Sequence, residues 1–335
     1  MTGETAPLIS VVIPAYNAAG TIRRSVESIL EGTYERLEVI VVDDGSPAAI
    51  VESLKPVTDP RIRIIRQSHA GVAAAMNRGV AAATGPLIAR MDADDFSHPD
   101  RLRLQLEHLR ANELAIVSGK VRIIDAAGRP VESMQRYERW ANSCLVHEEI
   151  MAYRFVESPL VNPTVLALAE VFQLKCREGA FPEDYDLWLR ALQAGYRAGK
   201  VSDTILDWID GPTRLTRSDD RYSFAAFDRC RREHLLEGPL RDRHTCNLWG
   251  AGETGKQWLR WLLESNFRVD FVVDVSPRKI GKKIHGVEVI AHDTLPAGRD
   301  TPMLIAVGAK GAREKIEPVL KERNYEPGRN AWFVA

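Results

Sequence analysis

Two clusters of aspartates are the first residues of this sequence whose types and spacing could do chemistry. Asp43-Asp44 follows one apolar run, and Asp92-Ala93-Asp94-Asp95 follows another. Alternate carboxylates on a short loop offer the hard oxygen ligands that Mg²⁺ and Mn²⁺ prefer, and such ions are often shared with substrate phosphates. Aspartate is also common in turns and helix caps. Because the two clusters follow comparable apolar runs, we interpret them as parts of one site.

A third acidic feature is the pair Glu183-Asp184, which stands directly after Pro182 and before a stretch whose apolar residues repeat with helical spacing. Helix capping and the helix dipole would account for acids at such a place without any chemistry. An ionised carboxylate there could also remove the proton from an attacking hydroxyl group. The pair is therefore a candidate general base.

A glycine-rich turn, Gly250 to Gly255, follows an apolar strand predicted over 246–249 and precedes a predicted helix. The next predicted strand, 269–273, is followed by Asp274. This context is typical of a nucleotide-binding βαβ unit, in which backbone amides and the helix N-terminus hold phosphate. The glycines could equally permit close helix-strand packing. The candidate ligand-binding residues are Gly250, Gly252, Gly255 and Asp274.

The acidic residues of the first half need a sheet that brings them together. The runs 8–13 and 37–42 are continuously apolar, as expected for parallel strands buried on both faces. Further strands are predicted over 61–65, 87–91 and 114–118, with helices over 22–30, 72–83 and 99–111 between them. This alternation predicts an α/β domain with a mostly parallel central sheet. Ligands bind at the carboxyl ends of such strands, where both aspartate clusters stand.

Length and composition give the outer limits. The 335 residues are enough for about two domains. The 45 Lys and Arg against 46 Asp and Glu leave a net charge of -1, without the positive excess that nucleic-acid binding relies on. Apolar runs stay below the 18 or more residues of a membrane span, and the start lacks a secretory signal. The four cysteines fit reduced thiols. We expect a cytoplasmic protein, peripheral to a membrane at most, without nucleic-acid partners.

Five short motifs of this sequence occur in the order that is typical of one enzyme family. Residues 8 to about 210 resemble the family 2 glycosyltransferases, which have the A-type, nucleotide-diphosphosugar transferase fold. The motifs are Ile13-Pro14-Ala15-Tyr16-Asn17, Val42-Asp43-Asp44-Gly45-Ser46, Asn77-Arg78-Gly79, Met91-Asp92-Ala93-Asp94-Asp95 and Glu183-Asp184-Tyr185-Asp186-Leu187-Trp188. Each alone is weak, but five in order make a specific signal.

The resemblance implies a role for each matched residue. Pro14, Tyr16 and Asn17 would line the nucleotide pocket, and Asp44 would accept a hydrogen bond from the base. Asp92 would lie near the ribose, and Asp94, with Asp92, would hold Mg²⁺ or Mn²⁺ against the diphosphate. Asp184 would be the catalytic base, with Glu183 in support.

The function implied is an inverting, metal-dependent, non-processive transfer of a sugar from a nucleotide diphosphosugar to a hydroxyl acceptor. A UDP- or dTDP-sugar is the expected donor. A glycan, a lipid-linked molecule or a small molecule is the expected acceptor, in glycan or cell-surface polysaccharide biosynthesis. The string Gln257-Trp258-Leu259-Arg260-Trp261 fits a motif of processive synthases. It falls in a predicted helix of another domain, so we interpret its apolar residues as packing positions.

Several residues keep a purely structural alternative. Tyr16 could be a half-buried aromatic, and Asn17 a helix cap. For Asn77 and Gly79 we favour an irregularity in an alanine-rich helix, and for Trp188 core packing. The arginines of the run 229–232, in a helix predicted over 221–236, could bind phosphate or an anionic membrane. A solvated face is the interpretation we favour for them.

The chain is predicted to contain a catalytic domain over 1–215, a helical linker over 216–243 and a Rossmann-like nucleotide- or sugar-binding domain over 244–335. The last segment is similar to the small N-terminal domains of bacterial sugar acyltransferases, which bind nucleotide sugars. An NAD(P)- or nucleotide-binding oxidoreductase or regulatory protein built on the C-terminal glycine motif is the alternative function. The segment holds about one mononucleotide-binding half, which counts against that alternative.

Overall fold

A computed structural model of the chain describes residues 6–48, 50–211, 219–298 and 301–335. The chain divides into two compact units. The first contains residues 1–147 and 160–230, and the second contains residues 148–159 and 231–335. The predicted boundary between catalytic domain and linker, at 215 and 216, lies outside the described residues, so this division stays a prediction.

The first unit is built on an eight-stranded sheet with the order β3-β2-β1-β4-β7-β6-β8-β5. Strands β3, β2, β1 and β4 are parallel, as are β6 and β8, whereas β7 and β5 run antiparallel to their neighbours. This confirms the predicted α/β class with a largely parallel sheet. The strands are β1 (Ile9–Ala15), β2 (Leu37–Asp43), β3 (Ile62–Arg66), β4 (Leu87–Arg90), β5 (Phe96–Ser97), β6 (Ile116–Ile124), β7 (Leu166–Leu168) and β8 (Ala198–Ile209).

Helices alternate with strands along the chain. Those up to residue 237 are α1 (Ile22–Leu30), α2 (Ile50–Leu54), α3 (Val72–Ala82), α4 (Arg101–Ala111), α5 (Gln135–Ser143), α6 (His147–Tyr153), α7 (Glu183–Gln193) and α8 (Phe224–Glu237). None of the helices in the described part of the chain is long and apolar enough to cross a membrane.

The central strands explain why the acidic residues share one edge. Every residue of β1 is buried, which fits its continuously apolar sequence and its place between two other strands. Ala15 at the end of β1 pairs with Asp43 at the end of β2. On the other side of β1, Val12 pairs with Arg90, the last residue of β4. The chain therefore leaves three adjacent strands on the same side of the sheet.

Helix α3 continues regularly through Asn77 and Gly79, so the favoured irregularity at these two residues is wrong. A Cβ at Gly79 would lie 2.3 Å from Cγ1 of Val12, so glycine lets the helix approach β1 closely. The Asn77 amide donates to the carbonyl of Cys176 at 2.8 Å and accepts from its N–H at 2.9 Å. Asn77 thus fastens the segment before α7 to α3.

The second unit holds a six-stranded sheet with the order β11-β12-β10-β9-β13-β14. All neighbours are parallel except the short edge strand β11. The order of the parallel strands is Rossmann-like, which agrees with the predicted class. The expectation of about one mononucleotide-binding half is wrong, because parallel strands lie on both sides of β9. The elements are β9 (Asn247–Trp249), α9 (Glu253–Glu264), β10 (Val272–Asp274), β11 (Lys283–Ile284), β12 (Val287–Ala291), β13 (Met303–Ile305), α10 (Ala312–Glu322) and β14 (Ala331–Phe333).

Two arginines of α8 pack within the second unit, so the predicted solvated face is wrong for them. Arg231 is only 6% exposed and donates to the carbonyl oxygens of Phe155, Val156 and Val334. The Arg232 guanidinium lies 4.9 Å from the ring centre of Trp258, a cation–π contact. Trp258 itself is buried, as are Leu259 and Leu262, which confirms the packing interpretation of these residues of α9.

Candidate active site

The loop that follows β4 carries three aspartates whose side-chain oxygens lie within 4.8 Å of one another. Asp92 and Asp94 are partly exposed, and Asp95 is buried. The buried residue is held in place, because its Oδ1 accepts the N–H of Ile209 at 2.9 Å. Arg24 fixes the backbone further by donating to the carbonyl of Asp94 at 2.7 Å. Asp92 and Asp94 are therefore the residues of this loop that could present oxygen ligands to a divalent cation.

A buried arginine stands at the base of this loop. Arg90 is 6% exposed, and its guanidinium lies 2.6 Å from the carboxylate of Asp92. Burial acts to lower the pKa of Arg90, but Asp92, and after it Asp184 and Glu183, raise the pKa above its ordinary value. The arginine is therefore a permanent positive charge among three carboxylates.

The acidic pair occupies the first turn of α7, behind Pro182 at the N-cap position. Glu183 is 5% exposed, and its Oε2 accepts a hydrogen bond from the Tyr222 hydroxyl at 2.6 Å. The partly buried Asp184 accepts the N–H of Tyr185 at 2.8 Å. Helix α7 thus aims both carboxylates at one place while its dipole favours their charge.

Burial changes the proton affinity of both carboxyls. Burial and the charge of Asp184 raise the pKa of Glu183 to about 7, although the bond from Tyr222 acts in the opposite direction. Burial also raises the pKa of Asp184, against the opposing charge of Arg90 and the N–H of Tyr185. Either group could therefore take up a proton more readily than an exposed carboxylate.

A small cavity joins the arginine and the acidic pair. About 10 Å³ of it is open to the centres of water molecules, which is room for roughly one water. Burial raises the pKa of the Cys176 thiol to about 12, so this group stays protonated at neutral pH. The lining residues are Val72, Met76, Arg90, Asn162, Phe172, Cys176, Glu183, Asp184, Leu187 and Trp188. Trp188 is 2% exposed and packs against Phe172, in agreement with the predicted packing role.

Near the ends of β1 and β2, the side chain of Tyr16 is exposed and stacks on that of His69. Tyr16 is 49% exposed, and its ring lies 4.2 Å from that of His69, centre to centre. Asn17 has a left-handed backbone with φ of 53° and donates its N–H to Ser46 Oγ at 3.0 Å. Pro14 is buried in β1 beside Val42. Tyr16 is thus the residue of this motif whose side chain offers a large open surface.

The Asp44 carboxylate is buried and already carries several hydrogen bonds. Its oxygens accept the Gln67 amide at 2.7 Å and the N–H groups of Ala70 and Gly71 at 2.9 and 2.8 Å. His69 Nδ1 lies 2.9 Å from the same carboxylate. Asp44 therefore fixes the loop that leads into α3, and this loop carries the ring that stacks on Tyr16.

Two residues that were not predicted from the sequence contact the predicted acids Asp92 and Glu183. Arg90 contacts Asp92 and lines the same cavity as Glu183 and Asp184. Tyr222 holds Glu183. The signal for Arg90 was a charge at the end of an otherwise apolar strand. Tyr222 has no comparable local signal.

In the second unit, the glycines of the turn differ in what they do. Gly250 has φ of 119°, and a Cβ there would lie 2.7 Å from the Ala306 carbonyl oxygen. A Cβ at Gly255 would lie 1.8 Å from the oxygen of Gly250, whereas Gly252 at the N-cap of α9 has open space around it. Packing therefore requires Gly250 and Gly255 and leaves Gly252 accessible.

Asp274 is turned back onto the glycine-rich turn. Its carboxylate accepts the N–H groups of Ala251 and Ser276, both at 2.8 Å, and lies 3.1 Å from Lys279 Nζ. Burial acts to raise the pKa of Asp274, but these three donors together bring it below its ordinary value. The residue joins the ends of β9 and β10.

Comparison with known proteins matches two segments of the chain to different families. Residues 10–168 match the family described as "Glycosyl transferase family 2", and residues 242–324 match the "CoA binding domain". An uncharacterized glycosyltransferase of Haemophilus influenzae is 30% identical over 202 residues, which cover 57% of this chain and 62% of the relative. The chondroitin synthase of Pasteurella multocida is 31% identical over 192 residues, covering 56% of this chain and 19% of that protein. The chain thus spans less than two thirds of these relatives.

Solved structures share the fold of a large part of this chain. S. aureus TarS 1-349 in complex with UDP-GlcNAc superposes with a TM-score of 0.54 at 17% identity, covering 70% of this chain and 68% of that one. The mannosyltransferase PcManGT from Pyrobaculum calidifontis, in complex with GDP-Man and Mn²⁺, gives a TM-score of 0.50 at 22% identity, with 62% and 59% covered. At these identities the likeness is one of fold.

Proposed function

Because this chain carries a family 2 glycosyltransferase domain with the A-type fold, we propose that it is an inverting, metal-dependent, non-processive glycosyltransferase. It would transfer a sugar from a UDP- or dTDP-sugar to a hydroxyl group. One observation carries the proposal. Arg90, which contacts Asp92 at the acidic loop, lines the same cavity as Asp184. The donor-side and acceptor-side acids would therefore belong to one crevice.

The base of the donor would stack on Tyr16, whose exposed ring is supported from behind by His69. Pro14 and Asn17 would shape the adjoining wall. To accept a hydrogen bond from the base, Asp44 would exchange one of its contacts to the 67–71 loop for it, because three N–H donors and His69 already lie at its two oxygens. That TarS and PcManGT were solved with nucleotide sugars supports a donor of this class.

Asp92 and Asp94 would hold Mg²⁺ or Mn²⁺, since their oxygens lie close together on a loop that is fixed on both sides. When bound, the cation would offset the charge that develops on the nucleoside diphosphate as it leaves. The Mn²⁺ of the PcManGT complex supports a divalent ion here. Asp92 would also lie near the donor ribose.

Asp184 would remove the proton of the acceptor hydroxyl as its oxygen attacks the anomeric carbon from the face opposite the diphosphate. The new carbon–oxygen bond forms as the bond to the diphosphate breaks, so the anomeric configuration inverts. Burial suits the carboxylate to this task, because it raises the proton affinity of Asp184. Glu183, held by Tyr222, would support it.

For the second unit we propose a ligand that carries phosphate, a nucleotide or nucleotide sugar, bound at the turn from Gly250 through Gly255 beside Asp274. The match to the "CoA binding domain" supports a nucleotide-bearing ligand. For the complete chain, the proposed acceptor is a glycan, a lipid-linked molecule or a small molecule. The reaction would take place in the cytoplasm or at the membrane surface. An NAD(P)-dependent oxidoreductase is less well supported, because the Asp274 carboxylate already accepts hydrogen bonds from Ala251 and Ser276 of its own unit.

The proposal is tested by a thermal-shift screen of UDP-, dTDP- and GDP-sugars with and without Mn²⁺, followed by assays of nucleoside diphosphate release. We expect a UDP- or dTDP-sugar to stabilise the protein in a metal-dependent way. The variant Asp184→Asn should lose turnover while binding the donor nearly as well as the unaltered protein. Asp203→Asn, at an exposed aspartate, is the matched control. Retained turnover in Asp184→Asn would refute the assigned base.

A further inference from the structure

We infer that Arg90 is a positioning residue for the transfer reaction, whose buried guanidinium orients Asp92 and presents one fixed positive charge to the Glu183–Asp184 pair. The inference rests on the proposed function and adds to it a residue that the matched motifs do not assign. The positively charged side chain of Arg90 would thus connect the donor side of the crevice with its acceptor side.

The backbone of Arg90 is immobilised by the sheet. Its N–H donates to the carbonyl of Val165 at 2.8 Å, and its own carbonyl accepts the Arg101 guanidinium at 2.7 Å. As the last residue of β4, Arg90 pairs with Val12 in the fully buried strand β1. The side chain therefore leaves a rigid element, which is what a residue needs in order to hold a partner within a few tenths of an ångström.

The burial of Arg90 has to be compensated. Removing a guanidinium from water is unfavourable unless opposite charges and hydrogen-bond acceptors replace the solvent. Here the compensating groups are Asp92, at 2.6 Å, together with Glu183 and Asp184 at the same cavity. All three are acids of the proposed site. The negative charges that offset the burial of Arg90 thus belong to the groups that would handle the substrate.

Another buried ion pair in the same unit does not line the cavity. The Asp186 carboxylate is fully buried, lies 2.8 Å from Arg190 and also accepts a hydrogen bond from Arg177 at 3.0 Å. Arg190 donates in addition to the carbonyls of Leu174 and Lys175. Neither Asp186 nor Arg190 lines the cavity. This pair fastens α7 to the segment before it, which makes Arg190 a control of matched chemistry on the helix that carries the acidic pair.

The charge of Arg90 should also influence how often the catalytic base is ionised. Arg90 and Asp184 line the same cavity, and a nearby positive charge favours the ionised form of a carboxyl group. A base must be ionised before it can accept a proton. Without Arg90, Asp184 should spend less time in the active form, and Asp92 should lose its fixed orientation.

The test compares Arg90→Met and Arg90→Lys with the matched controls Arg190→Met and Arg190→Lys in the full chain. The assay is hydrolysis of the donor, in which water takes the place of the acceptor hydroxyl, so that the free sugar and the nucleoside diphosphate are released. The donors are UDP-GlcNAc, UDP-galactose, dTDP-glucose and GDP-mannose with Mn²⁺, and the variants are compared on the donor that the unaltered protein turns over fastest. We expect Arg90→Met to lower kcat about a hundredfold with donor KM within about fivefold. Arg90→Lys keeps the charge but not the fork geometry, so it should recover at least about tenfold of that loss. Arg190→Met should lower the melting temperature and leave kcat within about threefold.

The outcomes separate the two proposals. If the unaltered protein releases no diphosphate from any of the four donors, the proposed function fails and the inference fails with it. If it is active and Arg90→Met keeps kcat within threefold, only the inference on Arg90 is overturned. An equal loss in Arg90→Lys and Arg90→Met also overturns it. Should Arg90→Met not fold, a kcat in Arg90→Lys equal to that of Arg190→Lys overturns it, and a selective loss of about tenfold in Arg90→Lys supports it.

Discussion

The hydroxyl of Tyr222 donates a hydrogen bond of 2.6 Å to Oε2 of Glu183, a residue 39 positions earlier in the chain. Burial, reinforced by the charge of Glu183, raises the pKa of Tyr222, so the hydroxyl remains a donor throughout the physiological range. The bond fixes Glu183 from outside α7, while Asp184 accepts the N–H of Tyr185 within the helix. This difference supports the proposed roles of the two residues. Glu183 is the supporting residue that another segment fixes, and Asp184 is the catalytic base.

The variant Tyr222→Phe removes the bond and should slow the reaction. The bond acts to lower the pKa of Glu183, so its loss should raise that pKa further. A hydrogen bond to a charged group contributes roughly 1.5–3 kcal/mol. We expect kcat to fall by about tenfold and the acid limb of its pH profile to move upward. Tyr34→Phe, whose hydroxyl donates to the carbonyl of Pro7, is the control. An unchanged profile would contradict this role of Tyr222.

Glu183 should make the protein less stable as the pH rises. Its folded pKa of about 7 lies above the unfolded value of 4.5, so the unfolded chain gives up this proton first. The favourable contribution of the protonated form is therefore complete below about pH 4.5 and is lost as the pH rises to about 7. Glu183→Gln cannot ionise and keeps an acceptor for Tyr222.

We therefore expect Glu183→Gln to raise the free energy of unfolding by roughly 1–3 kcal/mol at pH 8 and to leave it nearly unchanged at pH 4. Denaturant unfolding at the two pH values measures the difference. Glu253→Gln, at an exposed residue of the second unit, should show no such gain. A variant of Glu183 that is less stable than the unaltered protein at pH 8 would mean that this carboxyl is ionised at little cost.

The aspartate loop should govern metal-dependent binding. Asp94→Ala removes one of the oxygen donors that the loop could offer, so the Mn²⁺-dependent part of donor stabilisation in a thermal-shift assay should disappear. Turnover should fall by at least about a hundredfold. Asp270→Ala, at an exposed position of the second unit, provides the control. Full Mn²⁺-dependent stabilisation in Asp94→Ala would exclude this residue as a ligand.

Much of the fold was predictable because local pattern and tertiary environment agree. The apolar runs at 8–13 and 37–42 became β1 and β2, each shifted or extended by one or two residues, and strand-end geometry placed their following residues at one edge. The glycine-rich turn, its helix and Asp274 likewise occur as predicted. In these segments burial on both faces leaves few alternatives for the sequence.

The rest depended on partners that sequence spacing does not encode. The short distance between Tyr222 and Glu183 arises only from the course of the folded chain. The arginines of α8 looked solvated because their aromatic and carbonyl partners lie far away in sequence, as with Arg231 and Val334. Nor could the sequence show that residues 148–159 belong to the second compact unit. Long-range contacts decided each case.

The turn of the second unit allows packing and ligand binding to be separated. Gly250→Ala forces a Cβ onto a left-handed backbone near the Ala306 carbonyl, and Gly255→Ala places one 1.8 Å from the oxygen of Gly250. Each should lower the free energy of unfolding of this unit by roughly 2–4 kcal/mol. Gly252→Ala meets open space, so it should cost less than about 1 kcal/mol.

These three variants are compared by thermal unfolding of the full chain, with a nucleotide titration (CoA, UDP-GlcNAc and NAD⁺) on each protein that stays folded. If phosphate approaches the N-terminus of α9, Gly252→Ala should keep its melting temperature and weaken nucleotide binding by about tenfold or more, because the added methyl group occupies the approach. Unweakened binding in Gly252→Ala, beside the expected losses of stability in the other two, would leave this turn with a packing role alone.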